Sequence, residues 1–290
     1  MEPTTITRER QVLSGDALAL PGLKVLGHLV SSRASHPLEA HTHPGCMEFV
    51  VVCRGVEHYH VAAEHHELTG YDVFASFVDQ PHGTGGAPQG VSEIIWFQID
   101  PQAPQLLGLS VSRAAALRAQ LLALEGHRLR TDRDGLWLLR RALSGFLRRE
   151  AQEEPAAAAL FAAFLLRLLA QPRPPRPQGT MERALDYIEA NLSAPLPLDD
   201  ICRACGVSLS TLKHRFKECT GATPRDYINS AKIHRAQALL AAGAGVTEAA
   251  MALGFGSPGY FSVVFKKYTT LTPSQYVQSL AATNPRSKNR

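Results

Sequence analysis

Histidine in this chain is concentrated where a site could be assembled. Nine of its twelve histidines lie in the first hundred residues. The densest arrangement runs His41-Thr-His43-Pro-Gly-Cys-Met-Glu48-Phe-Val-Val-Val-Cys-Arg-Gly55: two histidines flanking one residue, four residues, a glutamate, six residues, a glycine. On an extended strand His41 and His43 would share a face. His82 ends a later run that begins at Asp72. Imidazoles and carboxylates ligate divalent transition metals, and they also hydrogen-bond small polar ligands. His58, His60, His65 and His66 fall on or near a predicted hairpin, where exposure to solvent is their default explanation. Cys202 and Cys205 make a C-x-x-C with no second pair. Both precede a helical turn that needs small buried residues, so packing explains them better than redox or metal chemistry.

The elements that would position these groups change character along the chain. Glu48–Cys53, Val56–Ala62, Asp72–Val78 and Ser92–Ile99 are short β-branched or aromatic runs punctuated by Gly, Pro and Asp, which predicts a small barrel or sandwich. From Ser112 to Ala170 the spacing becomes helical: Leu117, Leu121, Leu124, then Leu136, Leu139, Leu143, Leu147, then Phe161, Leu165, Leu168. These helices would pack on the strands, on one another, or on a second copy. Gln171–Gly179 holds four prolines and reads as an extended spacer. Beyond it nearly everything is helical. Thr180 is the expected cap of the first helix, to about Asn191. Helices follow at Leu198–Cys205, Leu209–Cys219, Pro224–Ala242, Val246–Leu253 and Pro258–Tyr268, and another begins at Thr272-Pro273.

Charge follows the same division. Residues 1–171 carry 15 Lys+Arg against 18 Asp+Glu, whereas residues 180–290 carry 13 against 8. The basic part suits a polyanion. No stretch combines a basic start, an apolar run and a cleavage site, and the apolar segment Ala156–Ala170 is too short to span a bilayer. Five scattered cysteines make no disulfide framework, so a reducing cytoplasm is the expected compartment and no membrane association is expected.

The basic part contains a repeat. Cys202-Arg-Ala-Cys-Gly206-Val-Ser208 followed by Leu212 and Phe216-Lys217 parallels Ala250-Met-Ala-Leu-Gly254-Phe-Gly-Ser257 followed by Phe261 and Phe265-Lys266. Each is a helix-turn-helix pattern, in which glycine supplies the turn and serine can cap the next helix. In the first copy Leu212 and Phe216 face inward, leaving a polar stripe of Ser210, Lys213, His214 and Lys217, with Thr211 beside it. In the second, Phe261 and Phe265 anchor the helix beneath Gly259, Ser262, Val263 and Lys266, with Lys267 beside them. Such stripes fit the major groove, and two helices roughly 34 Å apart would read successive grooves.

The run from Ala250 to Lys267, with Thr272-Pro-Ser-Gln-Tyr276 and the helix pattern Pro224, Tyr227-Ile228, Lys232-Ile233, Ala236, Leu239-Leu240, resembles the AraC/XylS family of transcription regulators. The resemblance is close over roughly residues 180–280. It implies a bipartite reader of double-stranded promoter DNA, often in contact with RNA polymerase, acting as a homodimer under a small-molecule effector such as a sugar. Two departures stand out: Val263 where a polar or basic residue is frequent, and Thr270 where glycine is frequent. Val263 can meet a thymine methyl but not hydrogen-bond a base, so the first unit is expected to carry more base reading and the second more phosphate positioning.

The histidine spacing in turn looks like the two motifs of the cupin barrel, although the glycine that opens the first motif and the inner glycine of the second are missing. That resemblance implies His41, His43, Glu48 and His82 converging in an effector or metal pocket suited to zinc, iron or manganese. The expected architecture is α+β: a cupin-like sensor barrel at 1–110, a helical dimerisation or packing region at 111–171, a linker at 172–179, a double helix-turn-helix domain at 180–282 and a basic tail at 283–290. A metal-dependent cupin enzyme with a DNA-binding tail, or a structural DNA binder without effector, are the competing readings. No catalytic residue is identifiable, and a cofactor is not required by the regulatory reading.

Overall fold

The computed structural model describes residues 4–7, 9–18, 20–150, 152–170 and 179–283. Apart from Gly179 and Thr283, the linker expected at 172–179 and the tail at 283–290 lie outside the described residues.

In the first part of the chain the order is β1 (Thr5–Ile6), β2 (Arg10–Ser14), β3 (Leu23–Val30), β4 (Ser35–Pro37), β5 (Met47–Val61), β6 (Glu64–Thr69), β7 (Asp72–Ser76), β8 (Pro88–Gln89), β9 (Ser92–Ile99), α1 (Val111–Leu122), β10 (Arg128–Arg130), α2 (Arg133–Arg148) and α3 (Glu154–Ala170). The chain divides into two units. One holds β1–β3, β5–β7, β9, β10 and α1–α3; the other holds the short β4–β8 ladder and the remaining helices.

The main sheet runs β1-β2-β3-β9-β5-β7-β10, with β6 added to β5. The closed barrel expected from the sequence is not formed, since no ladder among the described residues joins the two ends. The edge strands contain two and three residues, too few to zip the sheet shut. The two runs read as separate strands at 48–53 and 56–62 are one strand. A register shift between Val52 and Arg54, with Gly55 at φ +94°, makes a bulge where a break was expected. Beyond it β5 exchanges its partners β7 and β9 for β6.

Strand alternation sorts the side chains into two cores. Phe49, Val51, Ile95 and Phe97 pack with Leu117, Leu139, Phe146, Phe161 and Leu165, so α1–α3 lay their apolar stripes on one face of the sheet. Val50, Val52, Tyr59, Phe74 and Trp96 form the opposite face. Glu48, two residues before Val50, belongs to this second face.

The second unit contains α4 (Thr180–Ala190), α5 (Leu198–Cys205), α6 (Leu209–Thr220), α7 (Pro224–Ala241), α8 (Val246–Ala252), α9 (Pro258–Thr269) and α10 (Pro273–Thr283). Thr180 lies inside α4, and Gly179 takes the capping position expected of it. Two apolar clusters hold these helices, one around Ile188, Ile201, Leu212 and Phe216, the other around Ala236, Ala250, Phe261 and Phe265. No helix among the described residues is long and apolar enough to cross a membrane.

The sequence repeat is a structural one, down to its caps. Ser208 Oγ accepts from the Thr211 amide and Ser257 Oγ from the Tyr260 amide, each at 3.2 Å. Thr220 and Thr269 each donate back to the phenylalanine carbonyl four residues earlier, at 2.7 and 2.8 Å. Gly221 and Thr270 then end α6 and α9 in the left-handed conformation, at φ +67° and +70°.

Candidate functional site

In the second unit α6 and α9 present the surfaces that could meet DNA. Leu212, Phe216, Phe261 and Phe265 are buried, which fixes the opposite face of each helix outward. Ser210, Lys213, His214 and Lys217 are exposed on α6, and Thr211 is half-buried with its hydroxyl 2.8 Å from Ser208 Oγ. His214 Nε2 lies 3.3 Å from Glu218 one turn on. On α9, Gly259, Val263 and Lys266 are exposed, and Ser262 donates to the Pro258 carbonyl at 2.9 Å. Lys267 is turned toward Asp226 on α7, Nζ to Oδ1 3.4 Å, and stacks over Tyr268, which makes it a tie between helices. Arg215 and Tyr260 are also exposed on these helices and were not singled out, because both sit off the stripes that the apolar spacing defines.

Lys232 on α7 belongs to the helix pattern read from the sequence, but its role does not show there. It is buried, and its Nζ donates to the carbonyls of Ala194 and Leu253 at 2.7 Å each, over the Phe255 ring. Desolvation lowers its pKa. One carbonyl precedes α5 and the other closes α8, so a single ammonium joins the two helix-turn-helix units. The charge favours helix C-terminal carbonyls. Cys202 and Cys205 are both buried in the core around α5, as the packing reading requires.

In the first unit, His41, His43, Glu48 and His82 come together with ligand atoms all within 4.8 Å of one another. Strand alternation does not do it. His41 pairs with His82 in an isolated antiparallel bridge, and His43 sits in the turn before β5, where the Cys46 amide donates to its carbonyl. Ring centroids are 4.9 Å apart for His41–His43, 4.6 Å for His41–His82 and 5.3 Å for His43–His82. Glu48 lies 3.1 Å from His43 Nε2 and 3.0 Å from His82 Nε2. Gln98, its neighbour across the β5–β9 ladder, donates to Glu48 Oε1 at 3.1 Å. That residue completes the site, and only its alternation with Trp96 and Ile94 could have signalled it.

Burial alone would raise the Glu48 pKa, but hydrogen bonds from His43 and His82 outweigh it and bring it down to about 2. Burial pulls His82 down, and the bonds to Glu48 and the Gln80 carbonyl more than restore it, leaving its pKa raised. Burial leaves that of His41 lowered. His41 Nδ1 and His82 Nδ1 each lie 2.9 Å from a backbone carbonyl, of Glu39 and Gln80. Donation there directs each Nε2 inward, the arrangement that orients imidazole ligands toward a metal. The residues therefore fit a divalent transition metal, and equally a polar ligand.

Two helix-turn-helix units, each with a buried anchor and a capped, polar helix, define a DNA-binding domain. The helix-turn-helix domain family matches residues 201–279. The transcriptional activator RhaR of Shigella dysenteriae is 26% identical over 247 residues, covering 81% of this chain and 86% of that protein, and RhaR of Escherichia coli K12 matches with the same figures. Among solved structures, an AraC-type regulator from Chromobacterium violaceum is 29% identical over 36% of this chain and 95% of its own, with a TM-score of 0.33. The chain is a DNA-binding transcription regulator, similar over most of its length to the activator RhaR.

Proposed function

We propose that the chain is a transcription activator that reads two successive major grooves of promoter DNA with α6 and α9, under control of a small molecule bound at the His41–His43–Glu48–His82 cluster. The observation that carries the DNA reading is the duplication itself: the same cap, anchor and terminal threonine recur in α6 and α9, and Lys232 ties the units together. Base contacts come chiefly from Ser210, Thr211, Lys213, His214 and Lys217, while Gly259, Ser262, Val263 and Lys266 position α9 on the backbone and Lys267 holds α9 to α7. Contact with RNA polymerase, homodimerisation through α1–α3 and a cytoplasmic location complete this reading. Similarity to RhaR over most of both chains supports activation, and supports a regulator over an enzyme.

For the first unit the reading is a cupin-like pocket in an incompletely closed sheet. His41, His43, Glu48 and His82 would hold zinc, iron or manganese, and the ion would supply a coordination point for a polar effector. Gln98 orients the carboxylate.

Genome-wide mapping of bound DNA, followed by titration on the best site at fixed salt, tests the DNA reading. Two half-sites about one helical turn apart support it. Sequence-blind binding with only a steep salt dependence would overturn it. Metal analysis of purified protein tests the pocket: a stoichiometric ion lost in His41→Ala/His43→Ala supports the ligand set.

A further inference from the structure

The β5–β6 hairpin carries a second group of ligand residues that neither the DNA-binding reading nor the buried pocket uses. Its register pairs His58 with Glu67 and His60 with His65. Residues directly opposite in an antiparallel pair share a face. The pattern His-x-His on one strand and His-x-Glu on the other therefore sets three imidazoles and a carboxylate in a square on one side of the ribbon. Tyr59, Val61 and Leu68 occupy the other side, in the core.

Within that square the side chains approach one another in pairs. His58 Nδ1 lies 3.2 Å from His65 Nε2, with the rings 5.3 Å apart and nearly parallel. His60 and His65 have ring centroids 4.7 Å apart. Ligand atoms of His58 and Glu67 lie within 4.8 Å of each other. Two imidazole nitrogens bound to one tetrahedral zinc, each at ~2.0–2.1 Å, are separated by about 3.3 Å. The His58–His65 separation is already that edge. The His60 ring is backed by Gly85, where a Cβ would stand 2.4 Å from the imidazole, and the bridge between His60 and Gly83 holds the two segments together.

We propose that His58, His60, His65 and Glu67 form a surface site for a divalent transition-metal ion, zinc in the first instance. The donor set favours zinc, nickel or cobalt over calcium or magnesium, which take oxygen ligands. The site shares no residue with the buried cluster. A bound ion would clamp β5 to β6 along the stretch where β5 has left its other partners.

Zinc titration of the full chain by calorimetry, with cobalt absorption as a second readout, tests this. His58→Ala/His65→Ala should bind one equivalent less than the unaltered protein while keeping its circular dichroism, because both side chains lie outside the cores. Glu67→Gln should weaken the same equivalent roughly tenfold. His41→Ala/His43→Ala should keep the surface equivalent whether or not the buried cluster binds metal, so the two sites fail independently. Undiminished stoichiometry and affinity in His58→Ala/His65→Ala would overturn the proposal, as would loss of all zinc binding in a folded His41→Ala/His43→Ala protein.

Discussion

Gly254 lies so close to Ala194 that a Cβ placed on it would stand 2.3 Å from the Ala194 carbonyl carbon. The obstacle is backbone, which cannot swing aside as a side-chain tip would, and Gly254 is itself left-handed at φ +63°. Gly254→Ala therefore combines overpacking with an unfavourable backbone conformation and is expected to destabilise the second unit by about 2–4 kcal/mol. Urea unfolding followed by tryptophan-independent circular dichroism reads this. An unchanged midpoint would mean that the segment at Ala194 is free to move.

Lys232 works on the same joint. Lys232→Met keeps most of the volume but strands the Ala194 and Leu253 carbonyls, an expected loss of about 1–3 kcal/mol for each buried group left unpaired. Because the ammonium joins the two helix-turn-helix units, affinity for a paired site should fall much more than affinity for an isolated half-site. Equal loss on both probes would show that Lys232 stabilises the fold without setting the spacing.

Local signals made the second unit legible from the sequence. Ser208, Pro224, Ser257 and Pro258 mark helix starts within the chain's own neighbouring residues, and the structure begins α6, α7 and α9 where they indicate. The first unit depends on distant pairing. Glu64-His-His-Glu-Leu-Thr69 has no apolar alternation and becomes a strand only because β5 lies beside it. Gly55 looked like a break and is a bulge. The spacing of His41, His43 and Glu48 was visible, but the partner that finishes their site, Gln98, is one polar residue on a distant strand. The role of Lys232 was hidden for a related reason: a lysine on a helix gives no sign that its ammonium is buried.

Asp226 accepts from the Thr223 hydroxyl at 2.7 Å and from Lys267 and Tyr268 on α9. Burial raises its pKa, but the Thr223 hydrogen bond and the Lys267 charge prevail and leave it lowered. A carboxyl whose folded pKa is depressed contributes stability above its unfolded value, and that contribution disappears as pH falls through the folded value. Its side chain is 43% exposed, so screening limits the effect. Asp226→Asn should cost below about 1 kcal/mol at neutral pH, with the difference beginning to shrink as pH falls below about 3.9. Denaturation series at pH 7 and pH 3 on both proteins test the sign.

The two recognition helices should respond differently to truncation. His214 is exposed on the α6 stripe, with Glu218 one turn away to orient its ring. His214→Ala is expected to relax preference at one base position by about 1–3 kcal/mol. Lys266→Ala should instead weaken binding to all sequences and reduce the salt slope by about 1. Parallel titrations on a matched site and a single-base variant, over a range of salt, distinguish these. Uniform weakening by both substitutions would remove the division of labour between α6 and α9.

Thr270 occupies the position that Gly221 takes after α6, and it adopts the same left-handed conformation at φ +70°. A β-branched residue is strained there, because its Cβ crowds the following carbonyl. Nothing in the duplicated turn requires the side chain: the hydroxyl that caps the end of α9 belongs to Thr269, which donates to the carbonyls of Phe265 and Leu271. Thr270→Gly removes the strain but adds freedom to the unfolded chain, and the strain is the larger of the two. The expected result is a gain of about 1 kcal/mol, seen as a rise of about 4–8 °C in the melting of this unit. Thr270→Ala keeps a Cβ in the same conformation and should gain far less. If glycine and alanine raised the melting temperature equally, the left-handed backbone would not be the source of the strain.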